Sequence, residues 1–128
     1  ASVIIKWFRT QGEEKFLEAR EYRAKMLAGE LTILVPDLIY YEIINAAKND
    51  KSQSEDAWRD AIETLFISPL EVLPPENLYG HKIYDLAKDL NISAYDASYL
   101  VLARDNGCFL VTCDKELLTK APNLTKPL

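Results

Sequence analysis

Short apolar runs alternate with amphipathic helical patterns along the whole chain, and this alternation limits the fold more than any other feature. Leu31 to Val35, which ends at Pro36, and Leu70 to Leu73, which lies between two prolines, are too short for helices and are bounded like strands. The segments between such runs carry apolar residues every three or four positions. The alternation predicts an α/β fold, with an open parallel sheet and helices on both faces.

Local start and stop residues set the expected bounds of the elements. Asp37 is expected to cap a helix over Leu38 to Lys48, Ser52 and Glu55 to form a capping box for the next helix, and Ser93 to cap another. Gly29 and Gly107 are typical helix stops. Val3 to Phe8 fits either a helix start or a strand end. The other predicted helices cover residues 13–28, 76–90, 94–105 and 115–121, and the other predicted strands cover residues 108–112, which we expect to be buried on both faces, and 124–126.

Length and composition indicate one intracellular domain. The 128 residues fit a single domain over residues 1–128, since domains typically span about 100–200 residues, and the net charge is −5. No apolar stretch approaches the ~20 residues of a membrane helix, and Ala1 to Phe8 does not resemble a signal peptide. We therefore expect a cytoplasmic protein that does not bind membranes.

The cysteine and histidine content excludes several kinds of chemistry. Cys108 and Cys113 are five residues apart on a predicted strand, which places them on opposite faces and argues against a mutual disulfide. With the single histidine, His81, they cannot build a Cys/His zinc site. His81 lies on an apparently exposed helix face, so a histidine-based catalytic triad is also set aside.

Three acidic residues lie at positions where a carboxylate is unusual or suggests a specific role. Glu42 lies in a nearly apolar helix and shares a face with Leu38 and Asn45, so it needs a cation, a partner or a wet cleft. Asp96 follows Ser93 at capping-box spacing, and Asp114 directly follows a predicted strand. Each has a structural alternative: Glu42 can pair with an arginine, and both aspartates can cap helices.

Acids brought to one sheet edge would suit a hard cation. Active sites of open parallel sheets lie outside the carboxyl ends of the strands. Carboxylates without histidine or cysteine favour Mg²⁺ or Mn²⁺, which bridge to phosphate oxygens. Such ions would let an acidic protein act on an anionic polymer, because two of them stabilise both the attacking and the leaving oxygen of a displacement.

These residues resemble the PIN-domain nuclease family, and the resemblance is closest to the virulence-associated protein C toxins of type II toxin–antitoxin pairs. The segment V-P-D-L-I-Y-Y-E-I-I-N places the family glutamate at Glu42, with Asn45 behind it. The segment I-S-A-Y-D-A-S-Y-L-V-L-A places a family aspartate at Asp96. The segment L-V-T-C-D-K-E-L places another at Asp114, with Thr112 as the accompanying hydroxyl.

The opening A-S-V-I-I-K-W-F is similar to the segment that follows the first family aspartate. Ser2 would then be the small hydroxyl residue beside the metal. That first aspartate and its strand are not in the sequence, and we expect a short apolar strand ending in Asp just before Ala1. A parallel sheet without this strand would leave unpaired backbone groups, each costing about 1–3 kcal/mol.

The resemblance implies a metal-dependent endoribonuclease that uses Mg²⁺ or Mn²⁺ held by Glu42, Asp96 and Asp114. It also implies a homodimer and a cognate antitoxin, with a helical hairpin over residues 38–67 holding such partners. Trp58, Ile62, Leu65 and Phe66 are expected to leave apolar surface on that hairpin for them. Weaker candidates for phosphate contacts with the RNA substrate are Lys6, Arg9 and Lys115.

Two other functions compete with this one. A phospho-receiver signalling domain would need paired acids after the first strand and a lysine after the last, and Asp114-Lys115 does not supply that arrangement. A PIN-like module that binds a partner but no longer cleaves is the alternative if the first aspartate is truly missing.

Overall fold

The computed structural model describes residues 1–9 and 14–128, with the backbone alone for residues 77 and 78. Helices and short strands alternate in it, which confirms the predicted α/β fold class. A 3-10 helix, Ile4–Trp7, comes first. The further described elements are α1 (Phe16–Leu27), β1 (Leu34–Pro36), α2 (Leu38–Asn49), α3 (Glu55–Ile67), β2 (Glu71–Leu73), α4 (Asn77–Leu90), α5 (Ala94–Asp105), β3 (Leu110–Thr112), α6 (Lys115–Lys120) and β4 (Thr125–Pro127).

Residue contacts group the chain into two compact units. Unit 1 comprises Ala1–Ile33 and Asp37–Glu71, and unit 2 comprises Leu34–Pro36 and Val72–Leu128. The described strands form two two-stranded sheets, β1 with β2 and β3 with β4.

Unit 1 consists of helices whose apolar faces are buried. The 3-10 helix packs against α1 and α2, and α2 packs against α3. Within this unit the Trp7 indole Nε1 donates a hydrogen bond of 2.8 Å to the carbonyl oxygen of Ala19. Ile39, Ile43 and Leu65 are fully buried. We call the segment Leu38–Ile67, which contains α2 and α3, the α2–α3 hairpin.

Unit 2 is built on a helix pair and a parallel strand pair. α4 packs against α5, and α5 packs against both β1 and β3. β3 and β4 are parallel, with Leu110 opposite Thr125 and Thr112 opposite Pro127. A cluster of apolar side chains joins α5, α6 and the strands, namely Leu86, Leu90, Ile92, Leu100, Leu110, Leu117, Ala121 and Leu124.

The two predicted glycine stops are confirmed, and both close a helix in the same way. Gly29 has φ +72° and Gly107 has φ +63°, a left-handed conformation that glycine adopts without a Cβ penalty. The amide of Glu30 donates to the carbonyl oxygen of Lys25, and the amide of Cys108 donates to the carbonyl oxygen of Ala103. These are the long hydrogen bonds of the Schellman motif.

The second stop explains why the predicted strand over residues 108–112 is partly wrong. The amide of Cys108 belongs to the end of α5, so the strand begins at Leu110. Cys108 and Phe109 are exposed, and the strand is therefore not covered on both faces along the predicted length. Both cysteines are free thiols, Cys108 exposed and Cys113 half-buried.

Helix α2 begins at Leu38 as predicted, but two predicted helix caps on the α2–α3 hairpin are wrong. Asp37 precedes α2 but makes no capping hydrogen bond, because its backbone is already helical (φ −60°, ψ −23°) and not extended. Ser54 caps α3 in place of Ser52, since its extended backbone lets its hydroxyl accept from the amide of Ala57. The amide of Ser52 instead donates to the carboxylate of Asp50.

The prediction that α3 leaves apolar side chains exposed on the hairpin is correct for one of its residues and wrong for two. Trp58 and Leu65 are buried at 4% and 0% exposure, because they lie seven residues apart on the inward face. Phe66 is exposed and stacks on Tyr40, with 4.3 Å between ring centroids. No helix among the described residues is both long and apolar enough to span a bilayer.

Candidate active site

Asp114 lies two residues beyond the end of β3 and caps the start of α6. Its Oδ1 accepts hydrogen bonds from the amides of Glu116 at 2.8 Å and Leu117 at 3.1 Å, which confirms the predicted cap. The amide of Asp114 in turn donates to Oγ1 of Thr112, the buried last residue of β3, at 3.0 Å. Thr112 therefore fixes the backbone that carries the carboxylate.

Asp96 lies in the first turn of α5 and is held by Ser93. The Ser93 hydroxyl accepts from the amide of Asp96 and donates to its Oδ2, each at 3.0 Å. The bounds of α5 are the predicted ones, because Ser93 and Gly107 are both local signals. The predicted capping box pairs Ser93 with Asp96, and the direct hydrogen bond between their side chains was not predicted. The signal for that bond is the Ser-x-x-Asp spacing itself.

Each of these aspartates keeps one carboxylate oxygen for a further ligand. Among the described residues, Oδ2 of Asp114 and Oδ1 of Asp96 accept no hydrogen bond. A carboxylate held at one oxygen by backbone or hydroxyl donors is oriented, and the other oxygen suits a hard cation such as Mg²⁺ or Mn²⁺. In neither unit, as far as it is described, do three His, Cys, Asp or Glu side chains group so as to hold a metal.

The remaining predicted acid and its neighbour lie in unit 1. Glu42 is half-buried in the middle of α2, next to the fully buried Ile43, and Asn45 is exposed one turn later. The carbonyl of Asn45 accepts from the side-chain amide of Asn49. Ser2 is half-buried in the turn before the 3-10 helix. The contribution of Glu42, Asn45 and Ser2 to a metal site stays a prediction.

The three basic residues predicted near phosphate differ in accessibility. Lys6 is buried at 7% exposure, and the Arg9 Nε donates to Oδ2 of Asp50 at 3.0 Å. Lys115 is exposed at the first position of α6. Of the three, Lys115 is therefore the one best placed to meet a ligand from solution.

A model of the PIN domain family matches residues 1–122, and the chain therefore belongs to this family. The fold is similar to the crystal structure of PAE2754 from Pyrobaculum aerophilum, with a TM-score of 0.72 and 24% sequence identity. That likeness covers 99% of this chain and 86% of the other. The comparison with curated protein sequences found no match. PIN domains are generally metal-dependent nucleases, which are hydrolases.

Proposed function

We propose that this protein is a metal-dependent endoribonuclease and the toxin of a toxin–antitoxin pair. The observation that carries the proposal is the position of Asp114, which lies two residues beyond the end of β3 and has one carboxylate oxygen open to a ligand, within a chain of the PIN family. Asp96, similarly oriented by Ser93, supports it.

In this proposal Asp96 and Asp114 hold Mg²⁺ or Mn²⁺, and Glu42 acts with them as the sequence leads us to expect. The metal, when bound, supplies the positive charge that an acidic protein needs to approach a phosphodiester. Ser93 and the α6 amides orient the carboxylates, and Thr112 fixes the strand end. Lys115, exposed beside Asp114, is the proposed phosphate contact.

The biological setting belongs to the same proposal. Exposed aromatic and aliphatic residues on the α2–α3 hairpin support a protein partner, either a second copy or a cognate antitoxin. The exposed residues are Tyr41, Ile44, Phe66 and Ile67. A cytoplasmic location would bring the enzyme together with its RNA substrate.

The proposal is tested by RNA cleavage with added Mg²⁺ or Mn²⁺ and with a chelator. Losing even an outer partner of a metal site typically costs about 10- to 100-fold, so Asp96→Asn and Asp114→Asn are each expected to lower the cleavage rate at least about 100-fold. Asparagine retains the hydrogen-bond acceptor that each helix start uses, and thermal melting should therefore change little.

Asp89→Asn is the matched control, because Asp89 is an exposed aspartate of α4 in the same unit. It should cleave at the wild-type rate. Wild-type protein that binds Mn²⁺ but cleaves no RNA would instead identify a partner-binding module. Full activity of both site variants would contradict the proposed roles of Asp96 and Asp114.

A further inference from the structure

A cavity of about 570 Å³ that is widely open to solvent lies in the α2–α3 hairpin, in the part of unit 1 where α2 leads into α3. Its apolar wall is formed by Ile44 and Ala47 of α2 and by Ile62 of α3. Pockets for small ligands typically enclose about 300–1,000 Å³ and combine apolar walls with a few polar groups. The size therefore suits a small organic molecule.

A buried polar group on this wall lacks a partner. Trp58 lines the cavity at 4% exposure, and its indole Nε1 finds no acceptor among the described residues. The other tryptophan, Trp7, is equally buried but donates to the carbonyl of Ala19. A buried donor without an acceptor is destabilising, so a ligand whose binding brings an acceptor within reach of this N–H would be favoured.

The charged groups around the cavity favour an anion. Three cationic side chains line it, Lys48, Lys51 and Arg59, in a chain whose net charge is −5. Lys51 and Arg59 are exposed, and neither has a carboxylate partner in the part of the chain that the structure describes. Both side chains can therefore bind an anionic ligand.

Two acids also line the cavity, and one of them is already neutralised. Asp50 accepts from the Arg9 guanidinium at 3.0 Å and from the amide of Ser52 at 2.8 Å. Glu55, the first residue of α3, is exposed. The cations therefore outnumber the acids, and the pair that includes Arg9 leaves Lys51 and Arg59 for a ligand.

We propose that this cavity binds a small organic anion with an apolar body and one carboxylate or phosphate group. The apolar body packs against Ile44, Ala47 and Ile62, and the anionic oxygens interact with Lys51 and Arg59. When the wall at Trp58 opens to the ligand, one of these oxygens accepts from its buried Nε1. This site is independent of the proposed nuclease function.

The test follows the two indole N–H resonances of the ¹⁵N-labelled chain by NMR, because the chain contains two tryptophans. Sequential assignment distinguishes Trp58 from Trp7 without a variant of either. The probes are benzoate, phenyl phosphate and the neutral benzyl alcohol. We expect benzoate or phenyl phosphate to shift the Trp58 resonance saturably, while the Trp7 resonance stays in place. The stronger of the two anions identifies the preferred group.

The charge requirement is tested with the double variant Lys51→Gln/Arg59→Gln. A charge-assisted hydrogen bond contributes about 1.5–3 kcal/mol, so affinity for the anionic probe should fall at least about tenfold. The matched control is Lys88→Gln/Arg104→Gln, which removes two exposed cations from unit 2. Its net charge equals that of the Lys51→Gln/Arg59→Gln variant. The control should bind like the wild type.

Three results would overturn the proposal. The first is no saturable shift of Trp58 up to about 10 mM of either anion, which corresponds to negligible affinity. The second is an affinity for benzyl alcohol within tenfold of that for the anions, which would show that the cavity binds through its apolar wall alone. The third is equal loss of affinity in both double variants, which would indicate attraction by overall charge.

Discussion

The two units hold their candidate acids in different ways. In unit 2, Asp96 and Asp114 lie at the starts of helices, where a serine hydroxyl or backbone amides bind one oxygen of each carboxylate. In unit 1, Glu42 lies in the middle of α2, where every backbone amide already serves the helix. A helix start orients an acid through its own neighbours in sequence, whereas a mid-helix acid depends on residues far along the chain.

The largest effect that separates the two arrangements is expected from Glu42→Gln. This variant preserves side-chain shape and removes the negative charge, so RNA cleavage should fall at least about 100-fold if Glu42 is a metal ligand. The measurement is the cleavage rate in Mg²⁺ or Mn²⁺. Glu63→Gln, an exposed glutamate of α3 in the same unit, is the control and should leave the rate unchanged. Unchanged cleavage by Glu42→Gln would restrict the catalytic acids to unit 2.

An intermediate effect is expected at the start of α3. Ser54→Ala removes the hydroxyl that accepts from Ala57 and should lower the free energy of unfolding by about 1 kcal/mol, as for other serine caps. Ser52→Ala, at the position that the sequence pattern favoured, should cost no more than about 0.5 kcal/mol, as is usual for exposed residues. Urea denaturation measures both. A larger loss in the Ser52 variant would contradict this order of effects and point to the interaction of the Ser52 side chain with Asp50.

The smallest effect concerns the ion pair of Lys82 and Asp105, which links α4 to α5 at 2.7 Å. The hydrogen bond from Lys82, helped by Arg104, lowers the pKa of the Asp105 carboxyl below its ordinary value of 3.8. Because the folded pKa is the lower one, the stabilisation is fully present above pH 3.8 and is lost as the pH falls through the folded pKa.

Asp105→Asn should therefore lower the free energy of unfolding at pH 7 by about 0.5 kcal/mol, the usual size for a partly exposed pair. The gap between variant and wild type should close on acidification below pH 3.8, measured by denaturation across that range. Asp89→Asn serves as the control, because Asp89 forms no ion pair with any residue that the structure describes. A gap that persists at low pH would assign the effect to packing and not to charge.

Elements bounded by local signals were predictable from the sequence. Helix α5 has the predicted limits, because Ser93 and Gly107 act through hydrogen bonds within a few residues. The cap of α6 by Asp114 was predictable for the same reason. At Ser52 the pattern was misleading, since a capping-box match cannot reveal whether the backbone at that residue is extended.

Features that depend on packing between distant segments were not predictable. The burial of Trp58 and the lack of an acceptor for its Nε1 follow from how α3 lies against the rest of unit 1, which periodicity alone does not specify. The sequence patterns identified Asp96 and Asp114 as helix caps or metal ligands, and the structure shows which of their oxygens accept hydrogen bonds. The association of Glu42 with them is a long-range property and stays a prediction.

The hydrogen bond from Trp7 to Ala19 gives unit 1 a natural reporter of its own opening. The donor and acceptor are twelve residues apart, and the indole is 3% exposed. Its proton can exchange with deuterium only when the 3-10 helix separates from α1, so the exchange rate in D₂O reads out the free energy of that separation. One slowly exchanging proton thus measures the local stability of the N-terminal segment without any substitution.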